Sequence, residues 1–537
     1  MILRRVVRLC AAPLAFLLVA ATAPAALVAD QGAANRIHAD VQFLASDALE
    51  GRDTGSRGHG IAAQYVAAQF TAMGLTPGGP GGSWYLQVPF RRATHPTPPR
   101  VSIVTRSATR PVSDGDVGLR PSLAERQRSF TAELVFVGHG VVEPKFGIDE
   151  YAGLDVRNKI VLTIRGAPSG LPGNVAAHLE LTKDEIAASK GAIGIAELSF
   201  GGFNTAAGVS QQPVVDWLDR FGAVGNAASR IAMLVLSPAL SRELFKGAPK
   251  SLNQVASAGG GPMRGFALPA RLSITDQSRW QDFSSPEVIA VLPGSDARIG
   301  QEVIVLMAHL DHLGIKADAV PGEDAIYNGA LDNAAGVATM LEAAREFARS
   351  AGRPRRSVLF IANTGEELGL LGSDYFAAHP TVPLKQIVAA INLDMPLLLY
   401  DFTDVVAYGA EHSTVADAVA GAAASMADKL APDPLPRENL FTRSDHYRFV
   451  LRGIPGILLA TGPANGGRQA WARFLTTTYH SPTDDLGQPI NWRAGARYSE
   501  TAYRITRALA DADARPRWYR GDYFGDLFAP GEPRADR

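Results

Sequence analysis

One cysteine cannot close a disulfide within a chain, and Cys10 is the only one among 537 residues. It falls inside an apolar N-terminal stretch, so a processed chain holds none, and stability then rests on the core and on any bound metals. An excess of either charge is also missing. With 52 Lys and Arg against 53 Asp and Glu, the net charge of -1 gives no electrostatic case for a nucleic-acid or strongly acidic partner. Past residue 28 there is no apolar run of membrane-spanning length, and no repeat, heptad array or low-complexity tract. No stable membrane partner is expected. What the chain does have is 46% hydrophobic residues over a length that suggests two or three domains.

The first residues stand apart. Arg4, Arg5 and Arg8 precede the apolar stretch from Leu9 to about Val28, and Ala23-Pro24-Ala25 offers a small-residue cleavage site. Residues 1–29 read as a secretory signal peptide, which makes the mature chain exported, periplasmic or extracellular. An uncleaved anchor is the alternative, because the apolar length almost suffices to span; the alanine-rich distal half favours cleavage. Val7-Arg8-Leu9 ahead of Cys10 puts a charge where a lipoprotein signal wants small or apolar residues.

Chemistry is concentrated in the second half. The apolar run Val303 to Ala308 ends on His309 and Asp311, and Asp332-Asn333 opens a helix-like stretch from Ala334 to Arg349. A second run, Ser357 to Ala362, stops at Asn363-Thr364-Gly365 and delivers Glu366-Glu367; a third, Ile387 to Leu393, delivers Asp394. Apolar runs alternating with helical patterns predict an α/β fold with a mixed, largely parallel central sheet flanked by helices, and such sheets carry reactive groups beyond the carboxyl ends of their strands. Taken singly these residues have plain roles: a rim histidine, an N-cap aspartate, a solvated acidic turn. Taken together the plain roles fail, because Asp394 ends a run too apolar to leave a charge without a partner or a metal. His309, Asp332, Glu367, Asp394 and His480 form a mixed oxygen and imidazole set suited to a pair of divalent metals, with Glu366 adjoining one ligand, and this points to metal-assisted hydrolysis. Zinc suits such a set best; cobalt and manganese are alternatives.

The same segments carry a family resemblance. Ala308-His309-Leu310-Asp311-His312, Asn328 through Gly336, Thr364-Gly365-Glu366-Glu367, Asn392-Leu393-Asp394-Met395 and Tyr479-His480-Ser481-Pro482-Thr483-Asp484 resemble, in order, the signatures of the M28 family of zinc metallopeptidases. Leu44 to Arg52 extends the resemblance toward the N-terminus. It implies a zinc-exopeptidase-like fold and a co-catalytic aminopeptidase acting on peptides. Carried over by position, His309 and Asp394 hold one zinc, Glu367 and His480 the other, and Asp332 bridges them, since two dications about 3.5–4 Å apart need shared anionic ligands. The resemblance further makes Glu366 the general base, Asp311 the carboxylate that orients the His309 ring, and Tyr479 a donor to the oxyanion. Spacing does not separate the two peptide termini, so a carboxypeptidase or other amide hydrolase on the same site stays open. A non-catalytic receptor on this fold is the other class, and such proteins commonly lack ligands that this chain retains. His312 is expected to support the site or face substrate without binding metal. Ser444-Asp445-His446 resembles a nucleophile set only superficially, because adjacent residues cannot converge as a triad.

The remaining segments are assigned by pattern. Ala33 to Gly74 reads as helical, with Gly74 as its stop and a Gly/Pro-rich turn after it. Short buried strands at 134–138, 159–164 and 191–195 resemble in order a protease-associated domain, a β-rich insert bounded at 128–274. The peptidase domain takes 30–127 and 275–515, ending on a helix from Trp492 to about Ala510 capped by Asn491, and 516–537 is left as a tail. Pro463 to Thr478 reads as a loop beside the cleft.

Overall fold

The computed structural model describes residues 31–200 and 206–537; the expected signal peptide lies outside the described residues. Among the described residues no helix is long and apolar enough to cross a membrane.

The strand Val303–His309 is buried at every position. Ile304, Leu306 and Ala308 enter a large core shared with the helices Gln31–Leu44, Ala335–Arg349 and Trp492–Asp511, while Val303, Val305 and Met307 pack with Phe376 and Phe449 on the opposite face. Burial on both faces is what removes any polar alternation from a central parallel strand. Each fully buried Val, Leu or Ile contributes on the order of 1.5–3 kcal/mol, so His309 is borne on a strand anchored in the core on both faces.

Four central strands run parallel, in the order Ser357–Asn363, Val303–His309, Ile387–Leu393 and Gly456–Thr461. Antiparallel strands extend both edges: Arg279–Leu292 and Tyr85–Thr94 on one side, Asp404–Tyr408 on the other. From Val303–His309 the chain crosses through Ala335–Arg349 to Ser357–Asn363 on one side, then passes to Ile387–Leu393 on the other. That reversal is a topological switch point, where an α/β sheet opens a crevice at its carboxyl edge. The closing helix Trp492–Asp511 starts as expected, with the Asn491 side chain accepting from the amides of Arg493 and Ala494 at 3.2 and 3.1 Å.

Two expectations are corrected. The helical reading of 33–74 resolves into two helices, Gln31–Leu44 and Arg57–Ala72, separated by a tight turn at Asp47–Arg52 with left-handed backbone at Glu50, Gly51 and Arg52. The turn exists because the chain must touch backbone there: a Cβ on Gly51 would lie 2.3 Å from the Gly314 carbonyl oxygen. Helical periodicity carries no trace of that long-range contact. Gly74, at φ 74°, does follow the second helix. The stretch 463–478, read as a loop, contains the helix Gly467–Thr477, which buries Trp471 and Phe474 one turn apart; two glycines and two arginines around so short an apolar stripe conceal it.

A second, eight-stranded sheet holds the strands expected in the insert, formed as Gln127–Phe136, Ile160–Thr163 and Gly194–Glu197 in parallel neighbours, together with Arg100–Val104 from upstream and Phe266–Gln277 at its far end. Val214–Trp217 returns to the first sheet and pairs with Tyr85–Thr94. The C-terminal residues fold between the two bodies: Tyr523 Oη donates to Glu143 Oε2 at 2.6 Å, and Trp518 Nε1 donates to the Gly453 carbonyl at 2.9 Å.

Candidate active site

Three of the four central strands end on one cluster. His309 is the last residue of its strand, Glu366-Glu367 follow Ser357–Asn363 after a left-handed turn at Gly365, and Asp394 follows Ile387–Leu393. Asp332 comes from the irregular turn Ala330–Ala334 ahead of its helix and does not cap it by a side-chain bond. His480 arrives from the far side of the crevice in left-handed backbone at φ 54°.

The five expected ligands meet. His309 Nε2 lies 3.1 Å from Asp394 Oδ1 and 3.2 Å from Asp332 Oδ1; His480 Nε2 lies 3.3 Å from Asp332 Oδ2 and 3.2 Å from Glu367 Oε2. The two oxygens of Asp332 therefore serve different halves of the cluster. Four of the five side chains are nearly closed to solvent, whereas His480 is 35% exposed, so the cluster opens on its His480 side. Among the described residues, the ion-pair partners of Asp332, Glu367 and Asp394 are histidines only. Three nearly buried carboxylates facing two imidazoles make a donor set that fits a pair of divalent cations and would be electrostatically costly without compensating charge.

The titrating groups respond to this crowding. Burial alone would lower His309, but Asp394, Glu366 and Asp332 override it and hold the ring well above its ordinary value. Burial likewise opposes His480, which the Asp332 and Glu367 carboxylates push up to about 10. Asp332 is held well below the carboxylate range by hydrogen bonds from both histidines, against the effect of burial. Glu366 goes the other way: burial raises it, His309 opposes, and Asp394 and Glu367 add to the rise. Burial and Asp332 would raise the adjacent Glu367, but hydrogen bonds from His312 and His480 override them and lower it, so two neighbouring carboxylates shift in opposite directions.

Supporting contacts revise one assignment. Asp311 orients the His309 ring through its backbone carbonyl, 3.1 Å from Nδ1, and not through its carboxylate. That carboxylate is already engaged, accepting from the Thr54 hydroxyl at 2.9 Å and from the amides of Glu366 and Glu367 at 3.2 and 3.3 Å. Asp311 thus fixes the turn that carries base and ligand together. Tyr479 stacks on His480 with ring centroids 3.8 Å apart, and burial plus the surrounding carboxylates hold its hydroxyl protonated, as an oxyanion donor requires.

Three further residues support the ligands, and of these Asp484 and Arg52 had no assigned role in the sequence. Asp484 accepts from the amides of Leu331 and Asp332, at 3.0 and 2.9 Å, fixing the turn that presents Asp332; its place in the Tyr479 to Asp484 segment was the available signal. Buried Arg52 donates to the carbonyls of Leu44, Leu310, Asn328 and Gly329, tying the N-terminal turn to two ligand loops. Ser444 donates to Asp394 Oδ2 at 2.5 Å.

The Ser444-Asp445-His446 segment points three ways, as adjacency requires. Asp445 accepts from Asn363 Nδ2 at 2.7 Å, and His446 turns into the core beside Phe441. Burial lowers His446 from 6.5 to about 3. An imidazole whose folded value lies below its unfolded one contributes stability that is intact above pH 6.5 and lost as pH falls toward 3. The expected outcome is a cost of about 3 kcal/mol at pH 4 relative to pH 7.5 that His446→Gln removes, read as the difference between wild-type and variant urea midpoints at the two pH values. Equal pH slopes in the two proteins would contradict it.

Comparison with known proteins places this geometry. Residues 287–506 match peptidase family M28. A vacuolar membrane protease of Candida dubliniensis is 34% identical over 112 residues, 21% of this chain and 10% of that protein. A probable zinc metalloprotease of Pyrenophora tritici-repentis is 45% identical over 67 residues, 12% of this chain and 15% of that protein. The chain spans only these small fractions of those two relatives. The solved structure of an aminopeptidase from Aneurinibacillus sp. strain AM-1 covers 90% of this chain and 95% of its own, at a TM-score of 0.51 and 22% identity, and shares the fold.

Proposed function

We propose that this chain, whose residues 287–506 form a peptidase family M28 domain, is an exported zinc-dependent aminopeptidase that removes N-terminal residues from peptides. The division of Asp332, with Oδ1 toward His309 and Oδ2 toward His480, carries the reading, because it is the arrangement one carboxylate adopts between two cations. His309 and Asp394 would hold one zinc, Glu367 and His480 the other. Bound, the pair supplies Lewis acidity that polarises the scissile carbonyl and makes a water easier to deprotonate.

The chain's own residues do the rest. Glu366, with its raised proton affinity, takes the proton of the attacking water and returns it to the departing amine. Tyr479, kept protonated, donates to the oxygen on which negative charge develops. The carboxylates around the crevice offer a counter-charge to a free α-ammonium group. Export is part of the proposal and rests on the leader; the second sheet supports a protease-associated insert without assigning it a ligand.

Incubating the purified chain with matched peptides, one set with a free α-amine and one N-acylated, tests the terminus. Release of the first residue from free peptides, with N-acylation lowering kcat/KM by at least about 10²-fold, is expected if the amine is read by charge in a desolvated site. Faster hydrolysis of blocked peptides, or release from the C-terminus, sinks the aminopeptidase reading in favour of a carboxypeptidase or amide hydrolase on the same residues. Full zinc occupancy with no turnover on either set favours a binding protein.

A further inference from the structure

His312 belongs to neither the ligands nor the base, yet its side chain is entirely buried within the site. Its Nδ1 lies 2.6 Å from Glu367 Oε1, the shortest contact any ligand carboxylate makes to an imidazole in the cluster. Nε2, on the other side of the ring, is buried with no hydrogen-bond partner among the described residues. The ring proton therefore belongs on Nδ1, where its single polar contact is, and the ring acts as a donor to Glu367. The surrounding backbone is shaped to that ring: a Cβ on Gly329 would fall 2.6 Å from His312 Cδ2, and the His312 amide donates to the Arg52 carbonyl at 3.2 Å. The His480 ring meets it edge-on at 5.8 Å.

The arrangement mirrors the other half of the site. Asp394 turns Oδ1 to His309 while Ser444 holds Oδ2; Glu367 turns Oε2 to His480 while His312 holds Oε1. A carboxylate with one oxygen held by a buried donor is biased toward offering the other to a cation, and its direction is set before the cation arrives. We propose that His312 is a positioning residue that commits Glu367 to single-oxygen ligation of the cation shared with His480. The inference rests on the two-metal reading above.

The test uses the full chain and zinc alone, titrated against a chromophoric chelator after metal stripping, with zinc per chain confirmed by elemental analysis. Asparagine places an amide donor near the Nδ1 position, whereas glutamine places it near Nε2, where it has nothing to bind. Wild type is expected to take two zincs; His312→Gln and His312→Ala should weaken one of the two sites by roughly 10–100-fold, while His312→Asn stays within about threefold of wild type. Circular dichroism reports folding, and if the alanine variant is unfolded the asparagine and glutamine pair decides alone. Two wild-type zincs with asparagine and glutamine equal, whether both weakened or both normal, overturn the positioning role and leave the two-metal reading intact. Fewer than two zincs in wild type overturns both.

Discussion

Glu366→Gln is expected to bind two zincs with wild-type affinity and to lose about 10²–10⁴-fold in kcat, the range for removing a positioned general base. The substitution keeps side-chain shape but exchanges one carboxylate oxygen for a donor NH₂, so the side chain is neutral and can no longer take up a proton. Its geometry should survive, because Asp311 grips this residue by its backbone amide, which the variant retains. Glu367, one residue on, remains a ligand held through Oε1 by His312 and through its own amide by Asp311. The loss should therefore fall on kcat with KM nearly unchanged, the signature of an interaction made only in the transition state. A pH profile adds an independent readout. The acidic limb of kcat/KM that the base contributes in wild type should vanish in the variant, which carries no titrating carboxylate at this position. Turnover within tenfold of wild type would exclude Glu366 as the base, and loss of a zinc would show it to be a ligand.

The contrast between Glu366 and Glu367 also indicates what a sequence can disclose. Strand ends were legible because Val303–His309, Ser357–Asn363 and Ile387–Leu393 are buried on both faces, which leaves uninterrupted apolar runs whose terminal polar residues stand out. The order of the ligand-bearing segments then carried the resemblance, and all five predicted ligands meet. Contacts across long chain separations were not legible. Ser444 reaches Asp394 over 50 residues, His312 reaches Glu367 over 55, and Asp484 reaches Asp332 over 152; nothing in local composition marks a hydroxyl or imidazole as the partner of a carboxylate so far away. Asp311 was placed at the right position and given the wrong atom, because whether a residue acts through carbonyl or carboxylate depends on what else competes for the side chain. The turn at Asp47–Arg52 was missed for a related reason: its left-handed backbone answers to Gly314 and to the ligand loops, which helical periodicity does not encode.

Asp332 is where the two halves of the site are joined, and Asp332→Asn is expected to lower zinc from two per chain to at most one. Asparagine keeps one carbonyl oxygen and replaces the other with an NH₂ group, which donates and cannot ligate. Whichever way the amide turns, one side of the cluster faces an NH₂ group in place of an oxygen, since in the wild type Oδ1 lies 3.2 Å from His309 and Oδ2 lies 3.3 Å from His480. The backbone of the turn should hold, because Asp484 fixes it through the amides of Leu331 and Asp332 and not through the substituted side chain. The fall in kcat/KM should exceed the roughly 10–100-fold typical of mutating a supporting residue, because a ligand to both metals is removed. Stability gives a second measurement. Zinc at 100 times its dissociation constant stabilises a native site by about 2.7 kcal/mol, so wild type should gain markedly in urea midpoint on zinc addition, and the variant should gain at most one site's worth. Without metal the variant should remain the less stable of the two at neutral pH, because hydrogen bonds from the two histidines hold Asp332 well below the carboxylate range and the carboxylate therefore contributes stability that a neutral amide forfeits. An asparagine variant that still holds two zincs at wild-type affinity would show that Asp332 does not bridge them, whatever its effect on turnover.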